Sequence, residues 1–154
     1  MKNMTDIIEK DAIAIMENVE HKAVIDKLLE LLKNSKKITN HTKLRELILE
    51  RENIISTGIG VGLAIPHTRR NIIKDFVASA VLIRGTGCEW NSIDNQPVKF
   101  AILIASPQDT HKEYLKILAN SVLVWKNEEK RNKILSANTE SEIYDALSVI
   151  EFDI

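Results

Sequence analysis

Cysteine is nearly absent: Cys88 is the single one in 154 residues. That excludes an intrachain disulfide and any zinc cluster built on thiolates. Neither sign of charge is in surplus, since 21 Lys+Arg against 22 Asp+Glu leave a formal charge of −1. The basic excess of a nucleic-acid binder is missing. No apolar run approaches the ~18 residues that span a bilayer. The N-terminal MKNMTDIIEKDAIAIM carries acids inside its apolar stretch and does not read as a signal peptide. Neither nucleic acid nor direct membrane insertion is therefore expected, and the chain reads as cytoplasmic. Its length fits one domain, residues 1–154. With 44% hydrophobic and 28% charged residues it has a globular composition.

Glycine and proline are few and confined. All five glycines lie between Gly58 and Gly87, and all three prolines between Pro66 and Pro107. The flanks carry no strong breaker while the centre is punctuated, which predicts helical flanks around a sheet-rich middle. No repeat, low-complexity tract or dividing linker is present. A short strand is expected over Ala12–Met16, then a helix over 20–34 with Val24, Ile25, Leu28, Leu29, Leu31 and Leu32 on one face. A second helix should run over 41–52 with Leu44, Leu47 and Ile48 inward. STGIGVGLAIP reads as a loop entering a strand. FVASAVLIR (76–84) and VKFAILIA (98–105) are nearly continuous apolar runs, as strands covered on both faces require. Thr110 with Glu113, and Thr139 with Glu142, match helix capping boxes. The first helix should bury Leu115, Leu118, Val122 and Trp125, and the second Ile143, Ala146, Leu147 and Ile150. The expected fold class is α/β: a three-layer α/β/α sandwich with a central mixed sheet of about five strands flanked by helices on both faces.

Chemistry concentrates in RENIISTGIGVGLAIPH, residues 51–67. Ser56 and Thr57 bring hydroxyls. Gly58, Gly60 and Gly62 let backbone N–H groups approach a ligand without a Cβ in the way. Leu63-Ala64-Ile65 ends at Pro66-His67, and proline suits a strand end because it cannot donate to a ladder. His67 is thereby expected at the edge of a rigid sheet, where an imidazole can attack a phosphoryl group while Arg51 neutralises charge. Each piece alone has an ordinary reading: an exposed histidine, turn glycines, capping hydroxyls, a solvated arginine.

Together they resemble the signature of the enzyme IIA domains of fructose–mannitol type in the bacterial phosphoenolpyruvate sugar phosphotransferase system. The pattern is Arg-Glu, a few residues, then S-T-G-I-G-x-G-x-A-I-P-H. Here it runs unbroken as Arg51-Glu52, Ser56-Thr57-Gly58-Ile59-Gly60, Gly62 and Ala64-Ile65-Pro66-His67. A second block, Asp94-Asn95-Gln96-Pro97-Val98, an apolar strand, then His111 with Leu115, Leu118 and Ala119, is also similar to that family. The resemblance implies that His67 accepts a phosphoryl group from the phosphocarrier protein HPr and passes it to a IIB domain or protein, with no cofactor and no metal. It implies that His111 is a second active-site histidine that is not itself phosphorylated, and that Arg51 faces the phosphate. Ser56, Thr57, Gly58 and Gly60 would support phosphate binding. The mannitol branch carries an acid six positions before the active histidine, where this chain has Val61; the S-T-G-I-G run leans to the fructose and nitrogen-regulatory branches. A regulatory module that binds partners according to its phosphorylation state is the alternative to sugar uptake. A helix opening at His111 would itself favour a dianionic phosphoryl group.

Other candidates carry less. His21 and His41 read as surface residues of flanking helices, and Cys88 and Trp90 as packing and turn residues. Arg69, Arg70 and Lys74 read as either a solvated loop or a cationic surface for acidic partners. Ile59, Leu63 and Ile65 are divided between the core and an apolar face around His67. There is no G-x-S-x-G and no P-loop, which removes the serine-hydrolase and nucleoside-triphosphatase readings. No H-x-x-x-H or H-x-x-E-H spacing occurs that would hold a catalytic metal.

Overall fold

The computed structural model describes residues 1–154. In chain order the elements are β1 (Ile8–Glu17), α1 (His21–Glu30), α2 (His41–Ile54), β2 (Gly58–Gly60), β3 (Leu63–Ala64), β4 (His67–Arg69), β5 (Val77–Arg84), β6 (Phe100–Ser106), α3 (His111–Lys126), α4 (Glu128–Leu135) and α5 (Glu140–Ala146). One mixed sheet runs β1-β5-β6-β3-β2, and β4 also pairs with β6. β1 is parallel to β5, β5 antiparallel to β6, and β3 and β4 both parallel to β6.

The sheet is covered on both faces because its strands alternate between two cores. Ala78, Ala80 and Leu82 of β5, with Phe100, Ile102 and Ile104 of β6, pack against Ile117, Trp125, Ile134 and Ile143 of α3 to α5. Val77, Val81 and Ile83, with Ala101, Leu103 and Ala105, pack against Val24, Ile25, Leu28, Leu44 and Ile48 of α1 and α2. The expected three-layer sandwich is the one found. Ser79 is the polar member of the second face, and its hydroxyl donates to the Leu28 carbonyl at 2.8 Å.

Several local expectations need correction. The first strand reaches from Ile8, with a register shift between Ile8 and Ile13 where Glu9, Lys10 and Asp11 break the apolar pattern. The first helix ends at Glu30 rather than 34, and Leu47 is half-buried at the site instead of in the core. Thr110 forms no capping box: its hydroxyl donates to the Pro107 carbonyl at 2.7 Å, and no side chain caps α3. The buried stripe of α3 is Ile117, Ser121 and Trp125, with Leu118 and Val122 partly buried and Leu115 49% exposed. Thr139 does cap α5, accepting from the Glu142 amide at 3.1 Å, but Glu142 reaches back to the Asn138 amide and not to that of Thr139. His21 is no plain surface residue, since its ring lies over Trp90 with centroids 4.0 Å apart.

The glycine segment folds as a hairpin. β2 pairs antiparallel with β3 through a tight turn at Val61-Gly62, with φ of +48° and +80°. A two-residue hairpin turn of this hand requires positive φ at both positions. Gly62 meets that freely, but Val61 is β-branched and strained there. Two contacts hold it: its N–H donates to Asp94 Oδ2 at 2.9 Å, and Trp125 Nε1 donates to its carbonyl at 2.7 Å. Val61→Asn, which tolerates this backbone, is expected to stabilise the fold by about 1 kcal/mol. Chemical denaturation checks this; an unchanged or lower stability contradicts the strain.

Candidate active site

His67 stands where one strand position of the sheet is interrupted. Leu63 and Ala64 pair with Phe100 and Ala101, and His67, Thr68 and Arg69 pair with Ile104, Ala105 and Ser106. The sequence offset is the same in both, so β3 and β4 continue one register across Ile65-Pro66. The buried Pro66 lacks an N–H, yet its carbonyl accepts from the Ile104 amide at 3.0 Å. The backbone on either side of His67 is thus fixed to a central strand while its ring remains half-buried.

The ring itself is oriented by its own segment. Nδ1 lies 2.6 Å from the Ile65 carbonyl oxygen. A carbonyl can only accept, so Nδ1 carries the proton and Nε2 keeps its lone pair. Burial pushes the imidazole below its ordinary 6.5, and the Arg51 guanidinium pushes the same way; the Ile65 carbonyl and the Glu52 carboxylate oppose them. Burial is the largest of these effects, and the neutral ring is the favoured form at pH 7.

Two hollows meet at His67. One, of about 360 Å³, is lined by Leu47, Glu50, Arg51, Ile54, Ile55, Thr68, Arg69, Arg70 and Tyr114. The other, of about 170 Å³, is lined by Arg51, Ile55, Ser56, Thr57, Ile59, Ile65, Leu118 and Val122. Arg51 comes from the last turn of α2 and joins His67 in both. Arg69 donates to the Gln108 carbonyl, and its guanidinium stands 5.9 Å from the Tyr114 ring centre. Three arginines against one glutamate make the larger hollow cationic, as a phosphoryl dianion requires. The rim is apolar, with Ile54 78% and Ile55 60% exposed.

The remaining candidates divide. His111 opens α3 and is exposed; it lines neither hollow, whereas Tyr114, one turn later, lines the larger one with its ring 5.9 Å from that of His67. Burial raises the Tyr114 phenol, which therefore stays an O–H group. Ser56 Oγ donates to the Trp90 carbonyl at 2.6 Å and accepts from the Gly58 amide at 3.1 Å. Thr57 Oγ1 donates to Glu52 Oε1. Gly58 is buried where a Cβ would stand 2.4 Å from Ser92 Oγ, and Gly60 is buried in the hairpin. Of the apolar candidates, Ile59 and Ile65 line the smaller hollow and Leu63 belongs to the core. Sequence reasoning missed Tyr114, although its spacing of three from His111 puts both on one side of the helix start.

The sequence and the fold are both similar to known proteins. The model of the family described as "Phosphoenolpyruvate-dependent sugar phosphotransferase system, EIIA 2" matches residues 6–149. The chain is 30% identical over 147 residues to the fructose-specific EIIABC component of Bacillus subtilis, covering 94% of this chain but 23% of that protein. It is 28% identical over 151 residues to a nitrogen regulatory protein of Bradyrhizobium diazoefficiens, covering 95% of each. Among solved structures, nitrogen regulatory protein IIA-Ntr from Neisseria meningitidis superposes with a TM-score of 0.83 at 22% identity, over 94% of this chain and 98% of that one. The mannitol IIA of Escherichia coli, solved in complex with phosphorylated IIB, superposes with a TM-score of 0.72 at 13% identity, over 92% and 98%.

An NMR titration of His67 is expected to give a midpoint below 6.5, and Arg51→Gln to raise it, because removing a cation favours the imidazolium. The native ring holds its proton less tightly than the unfolded chain does. This group therefore withdraws stability as pH falls through 6.5 toward the depressed value. A midpoint at or above 6.5 contradicts the burial argument.

Proposed function

The chain belongs to the EIIA type 2 family of the phosphoenolpyruvate-dependent sugar phosphotransferase system, and we propose that His67 is its phosphoryl acceptor, charged by phospho-HPr and discharged to a IIB protein in the cytoplasm during sugar uptake of fructose type. Members of this family act as phosphoryl carriers, and a IIB partner suits a fold known in complex with IIB. The observation that carries the reading is the Nδ1 bond to Ile65, which leaves the lone pair on Nε2 of a ring that lines one cationic cleft with Arg51.

The step follows from that geometry. The Nε2 lone pair attacks phosphorus, the P–N bond to the donor imidazole breaks, and its electron pair stays with the donor. No base is needed, because the attacking nitrogen holds no proton. The His67 ring becomes formally cationic, with its charge shared toward Nδ1–H, where the Ile65 carbonyl is already positioned to receive it. The loose transition state calls mainly for alignment and charge neutralisation. Arg51 and the neighbouring Arg69 and Arg70 would supply the latter; Tyr114, which lines the same cleft, would join them, and His111 would do so only when a partner closes the cleft over the start of α3.

The regulatory reading is favoured by a different observation: the nitrogen regulatory relative and this chain match over 95% of both. In that case the phosphorylated and free forms would bind different proteins. Capture of a IIB protein with a reactive cysteine supports transport; capture of a kinase, channel or transcription regulator supports regulation.

Phosphoenolpyruvate, enzyme I and HPr are expected to add one acid-labile phosphate, at Nε2 of His67, and His67→Ala to abolish it. Arg51→Ala should slow transfer by about 10²-fold, and His111→Ala by less. Stoichiometric labelling of the His67→Ala protein overturns the assignment.

A further inference from the structure

Glu52 is a buried carboxylate that the transfer step does not use. Its side chain is 6% exposed, and an ion so placed is costly unless partnered. Oε1 accepts from the Thr57 hydroxyl. Oε2 lies 2.9 Å from Nε2 of His21, off the angle of a hydrogen bond, and neither atom has another partner. A bare ring nitrogen facing a carboxylate oxygen at that distance would repel it, so Nε2 of His21 carries a proton. His21 is held against Trp90, and Trp90 Nε1 donates to Thr57 Oγ1 at 3.3 Å. The Thr57 hydroxyl thus gives its proton to Glu52 and receives one from the indole, which locks it from two sides.

From Thr57 the path leads to the reactive ring. The Thr57 carbonyl accepts from the Ile65 amide at 3.1 Å, and the Ile65 carbonyl accepts from Nδ1 of His67 at 2.6 Å. We propose that Glu52 is a positioning residue for phosphoryl transfer: with His21 and Trp90 it locks Thr57, and Thr57 fixes the Ile65 carbonyl that keeps the proton on Nδ1 of His67 and the lone pair on Nε2. Its field also reaches the ring, where it opposes that of Arg51. The proposal rests on His67 as phosphoryl acceptor, but its first consequence is visible in the free protein.

The experiment is nitrogen NMR of the unphosphorylated full chain, at a pH well above the His67 midpoint, alongside transfer from phospho-HPr. Wild type is expected to show His67 protonated on Nδ1. In Glu52→Ala and Thr57→Val the ring should move toward the Nε2–H form that a free imidazole prefers. Transfer should slow by about 10-fold with the KM for phospho-HPr unchanged. Glu52→Gln still accepts from Thr57, and its amide can donate to Nε2 of His21 once that ring moves its proton to Nδ1, so it should stay close to wild type; the Ala/Val double variant should be no slower than the slower single one. Thr57→Val conserves volume and keeps the test open should Glu52→Ala fail to fold. A folded Thr57→Val or Glu52→Ala protein with the wild-type tautomer, at whatever rate it transfers, overturns the proposal, as does a wild-type ring protonated on Nε2. If wild type takes no phosphoryl group from phospho-HPr, the functional reading falls, and the tautomer measurement still decides the role of Glu52.

Discussion

A hydrogen bond of 2.6 Å across two residues, from Nδ1 of His67 to the Ile65 carbonyl, gives the site its chemistry. It forms where a strand is interrupted and resumed in the same register. The backbone of residue 65 faces away from β6, its amide donating to the Thr57 carbonyl, so no bond to β6 competes with Nδ1 for its carbonyl. Pro66 supplies the interruption: its fixed φ and missing N–H release the chain from the sheet for one step. Its own carbonyl then bonds Ile104, and β4 resumes the pairing at His67. β6 is buried along its whole length and lies between β5 and the β3/β4 edge. Deformation of the His67 backbone would therefore disturb the middle of both cores, and the imidazole is presented from one of the stiffest places in the molecule.

The groups proposed to act on phosphate stand on different footing. Arg51 comes from the end of a helix and is exposed, Arg69 from a short strand, and Tyr114 from the first turn of α3. Long cationic side chains on such mounts can adapt to a partner while the His67 backbone stays put. The exposed apolar residues Ile54 and Ile55 lie three and four positions beyond Arg51 and line the same hollow, so a protein docking on them would also desolvate the arginine. Removing water strengthens the attraction between guanidinium and phosphoryl group. In this arrangement docking and charge stabilisation are one event.

The fold was legible where apolar residues run without interruption. β5 and β6 are covered on both faces and announced themselves as strands, and α2 showed its buried Leu44 and Ile48. Legibility failed where tertiary contacts outweigh local pattern. β1 hides its first half behind Glu9, Lys10 and Asp11. The Thr110 capping box was formally present, yet the hydroxyl found Pro107 closer than the third amide of the helix. The proposed nucleophile, its arginine and its loop lay in one contiguous stretch and could be read together. Tyr114 could not, because an aromatic at helical spacing has the same signature whether it faces a core or a cleft. His21 was misread for a similar reason: its partners, Glu52 and Trp90, are 31 and 69 positions away in sequence, and no local pattern connects them.

A carrier has to hold its cargo weakly, and this constraint explains what the site omits. Transfer between two histidines, as proposed, would exchange one P–N bond for another and so have almost no drive of its own. Every contact that stabilises the phosphorylated carrier alone slows the onward step. A deep pocket closing over the phosphoryl group would therefore be a defect. The observed site avoids it: His67 is only half-buried, and Arg51 on the same hollow is exposed. What can be fixed without cost to reversibility is the tautomer, because the same Nδ1–H state serves both directions of transfer. Nor does such a carrier need a surface complementary to a sugar. The sidedness of the imidazole is where this fold concentrates its rigidity, and the phosphoryl group is left to contacts that form only while a partner is bound.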